Sequence, residues 1–376
     1  MNFTYRSTSL LILVLAVFSW TACDVGESGS DDGPDFDREA MLANFGENII
    51  IPSYDALVDS LNEMATAADN FSADPSTATL QQLQSTLKSS RLAWQRVNLF
   101  NFGPASNNLL RTSLNTYPTD TARIEENIDS GDYTLGTVSN QDAVGFPALG
   151  YLLHGIGANN QEIVSAYTDD PDASERMQYL EDNVDFIQQK ASTVAQEWSA
   201  DQEDYLTMFL SQDNLGTDAG SSLSMLINAY IQHYERYIRD GKIGIPSGVR
   251  SAGVARPQAT EAYYAGYSKE LALANLQAVQ RVFKGITFPD GMNNRGLSDN
   301  LEAHDETELV DEIESNMDDA ISSVQALNDP LSQQVQNNND KVQSAFQDLQ
   351  AVVGPLKTDM TSVLGITITY QDQDGD

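Results

Sequence analysis

Apolar residues three and four positions apart recur along almost the whole chain, and this period constrains the fold more than any other feature. Tyr54, Leu57, Leu61, Met64, Ala68 and Phe71 fall on one face of a helix, and so do Leu80, Leu83, Leu87, Trp94 and Val97. Asp74-Pro75-Ser76 separates the two, with Ser76 or Thr77 placed to cap the second. The period returns in Met177, Leu180, Val184, Ile187, Ala191 and Val194, and again in Leu223, Leu226, Ile227, Tyr230, Ile231, Tyr234 and Ile238. Further helical runs are predicted over 259–284, 306–327 and 330–364, the last with a kink at Gly354-Pro355. Residues 105–144 and 286–304 are rich in turn residues and read as loops, with Asp120 an N-cap in the first. Only 366–369 offers a strand. Long helices with short connections predict an all-α protein built of antiparallel bundles.

Two local patterns refine this. Gly145-Phe146-Pro147-Ala148-Leu149-Gly150-Tyr151-Leu152-Leu153-His154-Gly155 is nearly all apolar and predicts a short buried helix. Proline is tolerated only in a first helical turn, so that helix starts around Phe146. Arg239 and Gly241 read as the last turn and left-handed cap of the helix before them, with 243–248 an extended connector.

The 376 residues are enough for two domains, and 41% hydrophobic residues can bury real cores. Against 55 acids stand 20 bases, 13 of them Arg and only seven Lys, for a formal net charge of −35. Such a surface repels nucleic acid, which is excluded as a partner. The single cysteine, Cys23, excludes internal disulfides and CxxC metal sites. It follows a short apolar core at 10–20 and the small residues Thr21-Ala22. That arrangement resembles a bacterial lipobox, with 1–22 the signal peptide, 23–37 a lipidated acidic tether and Trp20 in place of the usual leucine. Each acyl chain on Cys23 adds roughly 0.8 kcal/mol per buried CH₂, so several together anchor the chain to a membrane. The acids that follow the cysteine are similar to surface-export signals of some Gram-negative lipoproteins, and equally to a plain spacer.

Several segments together resemble the imelysin family of bacterial envelope proteins. They are Leu92-Ala93-Trp94 with Phe102-Gly103-Pro104, Leu114-Asn115-Thr116-Tyr117-Pro118-Thr119-Asp120, and Gly145-Phe146-Pro147-Ala148-Leu149. The last pair is Arg239-Asp240-Gly241-Lys242-Ile243-Gly244-Ile245-Pro246 with Ala262-Tyr263-Tyr264. The resemblance implies two helical-bundle halves with an internal pseudo-two-fold relation, here 38–245 and 246–376, and a site between them. It also implies an outer-membrane lipoprotein, periplasmic or surface-exposed, in the context of iron or haem acquisition. The family's GxHxxE motif, which suggests a metal and a peptidase, is degenerate: Gly145 matches, but Pro147 and Gly150 stand at the histidine and glutamate positions.

The candidate ligand site is therefore drawn from Gly145, Tyr151 and His154 in one segment and His233, Tyr234, Arg239, Asp240 and Lys242 in the other. His154 is either a metal ligand displaced along its helix or a hydrogen-bonded residue at a helix end. His233 and Glu235, two apart on a helix, point to different faces and cannot share an ion. Tyr230, Tyr234 and Tyr237 are a stripe for an iron or haem face, or core residues with hydroxyls at the rim. Arg239, Asp240 and Lys242 either select a ligand or fix the helix end. His304 reads as an exposed loop residue. These features predict a lipid-anchored, non-catalytic binding protein whose partners are the membrane and an iron, haem or protein ligand. A metallopeptidase and an envelope scaffold are the alternatives.

The acidic, Lys-poor composition suits a high-salt medium, where screening removes self-repulsion, as well as plain solubility. On the first reading the melting temperature rises between low and molar NaCl; equal stability at both leaves solubility as the explanation.

Overall fold

The computed structural model describes residues 36–199 and 205–371. The expected signal peptide, Cys23 and nearly all of the expected tether lie outside the described residues. Asp35–Asp376 forms one compact unit, and one apolar core cluster runs through it from Met41 to Ile366. Among the described residues there is no strand, only an isolated bridge between Ile286 and Asn293. None of the described helices is long and apolar enough to cross a membrane.

The long helices are α1 (Ile51–Ala73), α2 (Thr77–Val97), α3 (Gly145–His154) and α4 (Ala173–Ser199) in the first part of the chain. In the second part they are α5 (Ser222–Gln232), α6 (Ser268–Phe283), α7 (Thr307–Gln325) and α8 (Asn339–Ala351). Their starts follow the expected chemistry: Ser76 and Thr79 cap α2 reciprocally, and Asp120 caps Thr121–Ser130. α1 packs on α2 and α4, and α3 lies across α2 and α4. α6 and α7 pack together, and α7 packs on α8. α2 also packs on α6, so it is shared between the two groups and carries side chains to the seam.

Several sequence expectations change here. α5 does not end at a Gly241 cap. It continues as a π-helix, His233–Gly244, directly into Ile245–Ser247, so the expected extended connector at 243–248 is helical, and Gly248 at φ +82° takes the left-handed position. The helix expected over 259–284 begins only at Ser268, because Pro257 and Gly266 (φ +76°) hold the preceding residues in turns. That frees Glu261 and Tyr263 to enter the seam from a loop. Leu297–Ala303 is helical where a loop was expected, and 366–369 is coil.

α3 depends on its first residue. Gly145 has φ +79°, and a Cβ there would lie 2.5 Å from the backbone oxygen of Leu114. Its N–H donates to Asn183 Oδ1 at 3.2 Å, tying α3 to α4. Only glycine satisfies both the torsion and the close approach. Gly145→Ala is expected to cost about 2 kcal/mol or more, read as a lower urea midpoint with unchanged slope; a midpoint within error of the parent would refute this.

Candidate functional site

The site forms where α2, the short helix Leu110–Asn115, the π-helix and the loop from Pro257 to Tyr264 meet. The π-helix sets its register. With i→i+5 bonding there are roughly 4.4 residues per turn against 3.6 in an α-helix. Nine residues of α-helix would put Lys242 about 180° from His233, whereas nine of π-helix bring it back to within about 20°. His233, Tyr237 and Lys242 accordingly all line one small recess, with Arg111, Asn115 and Tyr117.

Lys242 is buried and forms an ion pair with Glu261. Its Nζ also donates to Gln95 Oε1 at 2.9 Å. Glu261 Oε1 accepts from Gln95 Nε2 at 3.0 Å and Asn115 Nδ2 at 2.8 Å, and its backbone oxygen accepts from Arg91 Nη2 at 2.8 Å. Burial pushes the Glu261 carboxyl up, but Lys242 and Arg91 outweigh it and hold the group below its usual range. It is a fixed anion.

His233 belongs to an adjoining network. Asn275 Nδ2 donates to the Gln95 backbone oxygen at 2.8 Å and Asn98 Oδ1 at 2.9 Å, which turns its Oδ1 toward His233 Nε2 at 2.9 Å. Arg111 Nη2 lies 3.2 Å from His233 Nδ1. Arg111 can only donate, so Nδ1 accepts and Nε2 carries the proton. Burial, then the Arg111 charge, pushes His233 well below the usual histidine range.

Two cavities open beside this network. The larger, about 720 Å³, is walled by Arg111, Tyr117, Tyr237 and Tyr263 with Arg236 and Arg256. The smaller, about 300 Å³, adjoins it through Tyr117, Pro118, Gln258 and Tyr263. Pro147 and Gly150, at the motif's histidine and glutamate positions, line the smaller one together with Arg91 and Glu261. A Cβ at Gly150 would meet Arg91 Nη1 at 3.3 Å. A guanidinium thus borders the place where the motif sets a carboxylate. Among the described residues no group of three or more His, Cys, Asp or Glu side chains could hold a metal ion. The donor set does not fit a metallopeptidase centre, which needs about three ligands and an open position.

The structure separates the sequence candidates. His233 and Lys242 meet at the seam. Tyr234 is buried in the core with its hydroxyl on the Leu349 carbonyl at 2.9 Å. Arg239 and Asp240 face the other side of the π-helix, where Asp240 takes paired bonds from Arg239 and Arg250. Gly145 positions α3, and Tyr151 donates to Glu125 at 2.8 Å with its ring 5.2 Å from Tyr264. His154 lines neither cavity; burial, then Arg91, lowers its pKa to about 4. His304 contacts the Asn300 backbone oxygen at 2.8 Å. The seam residues that periodicity did not single out are Arg91, Gln95, Arg111, Glu261 and Asn275. Their one signal is polarity inside or beside apolar stretches.

The model of the imelysin family matches residues 50–357. A solved structure described as an iron-regulated protein A precursor from Parabacteroides distasonis superposes with a TM-score of 0.74 at 18% identity, covering 89% of this chain and 97% of that one. An imelysin-like protein from Psychrobacter arcticum does so with a TM-score of 0.70 at 18% identity, covering 90% and 99%. No curated protein matches.

His154 and His233 are both neutral in the fold, whereas an unfolded histidine takes up a proton near pH 6.5. Their contribution is therefore complete above that pH and is lost as pH falls below it, by up to about 1.4 kcal/mol per pH unit for each. Melting curves from about pH 7.5 to 5.5 should show a shallower decline for His154→Gln than for the parent. Parallel profiles would contradict this assignment.

Proposed function

The chain belongs to the imelysin family, and from that premise we propose that it is a non-catalytic binding component of the Gram-negative cell envelope. It is anchored by lipid at Cys23, serves iron or haem acquisition, and takes its ligand in the cavity at the seam. The observation that carries this reading is the chemistry of the seam. A cavity of about 720 Å³ lies in the size range of small-molecule sites. Its neighbouring acid, Glu261, is neutralised by Lys242, and its neighbouring imidazole, His233, is held on both nitrogens. Neither is poised to move a proton, and the motif positions carry Pro147 and Gly150. The iron context is supported by the iron-regulated name of one structural neighbour.

The detergent-solubilised full chain, dialysed against Fe²⁺, Fe³⁺, Zn²⁺ and haem in turn, should retain at least one at a stoichiometric level. Retention of none, or chelator-sensitive cleavage of casein, would overturn the reading. Metabolic labelling with a fatty-acid analogue should mark the parent and not Cys23→Ala; equal labelling would remove the anchor.

A further inference from the structure

The larger cavity is a place where local charge opposes the charge of the chain. The formal net charge is −35, yet the cavity lining holds Arg111, Arg236 and Arg256 and neither Asp nor Glu. Among the described residues none of these three arginines has a carboxylate partner, unlike Arg239 and Arg250, which share Asp240. Arg111 is the most constrained. It is 9% exposed, its guanidinium carbon sits 3.8 Å from the centre of the Tyr237 ring, and its Nε and Nη1 have no hydrogen-bond partner. Burial pushes its pKa below the ordinary arginine range. A guanidinium removed from water with two unpartnered nitrogens is unfavourable until an acceptor, above all an anionic one, meets it.

The walls add a second requirement. Tyr237 and Tyr263, 38% and 37% exposed, present large aromatic surface at this cavity. Asn115 Oδ1 is buried and unpartnered, an acceptor for a hydroxyl or N–H. A bare metal cation would face three guanidinium groups and no carboxylate, so iron entering here must arrive inside an anionic complex.

We propose that the cavity binds a planar organic anion, a ring-bearing di- or polycarboxylate, with a carboxylate on Arg111, further charge on Arg236 and Arg256, and the ring against the tyrosines. This rests on the binding reading above and names the ligand class. Haem, a planar dicarboxylate, belongs to the class, and so do aromatic polycarboxylates without iron.

Titration calorimetry of the full chain with isophthalate, with its neutral diol analogue, and with haem and Fe³⁺ separates the outcomes. Isophthalate should bind saturably, one per chain, and the diol should not. Arg236 and Arg256 make no ion pair among the described residues, and Arg236 gives up a weak cation–π contact with the Tyr370 ring at 5.5 Å, so the double variant Arg236→Gln, Arg256→Gln should fold with a melting temperature within a few degrees of the parent. It should bind isophthalate at least about tenfold more weakly, as loss of charge-assisted bonds predicts. Arg111→Lys, which keeps the charge but loses the fork, should also weaken it. Equal affinity for the diol, or undiminished binding by the double variant, would overturn the anion assignment. Fe³⁺ held while isophthalate and haem are both refused, or haem held equally by parent and double variant while isophthalate is refused, would remove this ligand class and leave the binding reading standing. Refusal of all four would remove both.

Discussion

The buried ion pair between Lys242 and Glu261 is the contact on which the seam depends. Burying two charges is costly unless every remaining lone pair and proton is used. Here Gln95 bonds both partners, Asn115 shares the Oε1 carboxylate oxygen with Gln95 while Lys242 holds Oε2, and Arg91 takes the backbone carbonyl. Three chain segments far apart in sequence, α2, the π-helix and the loop before α6, are thereby fixed at one point. Losing either partner would strand a buried charge, at a cost of about 3–5 kcal/mol. The same saturation that makes the pair tolerable removes it from acid–base chemistry, because a carboxylate held by a lysine and two amide donors has no reason to accept a proton.

The pair can form only because the helix changes its winding. In α-helical register Lys242 would point away from His233 and into the region where Arg239 and Asp240 now lie. The π-helix turns it toward α2, while Glu235, Arg239 and Asp240 stay on the opposite side among Lys357, Arg250 and Gln350. One segment therefore serves two polar networks. The outer one, with Arg239 fully buried and doubly bonded to Asp240, stiffens the element; the inner one faces the cavity.

This explains what could be read in the sequence and what could not. A period of three and four survives along α1, α2, α4 and α7 because an apolar face is all those helices need, so the fold class and the capping by Ser76 and Asp120 were legible. A π-helix leaves no such period, so Gly241 reads as a cap when it is an interior residue. The turns before α6 hide behind Tyr263, Tyr264 and Tyr267, which mimic the start of a helical stripe. The site residues are harder still. Arg111 and Glu261 are single charges in stretches whose pattern gives no hint that they approach one cavity, and long-range approach is a property of packing. Lys242 was in view through family likeness and His233 as one of three histidines, but Arg239 came with the one and Tyr234 with the other, since neighbours in sequence need not share a face.

The distribution of charge bears on how a ligand would reach the seam. An acidic exterior and a basic cavity act over different distances. In physiological salt, charges farther apart than about 8 Å are largely screened, so the exterior neither steers an anion inward nor repels it strongly. Within the cavity, Arg111 lies behind a tyrosine ring and out of solvent, where screening is weak. For the proposed anion, recognition is then a matter of contact: the buried arginine acts only on a molecule small and flat enough to enter. The sign of the surface therefore matters little to such a ligand, and the sign of the cavity, where the guanidinium is out of solvent, matters most.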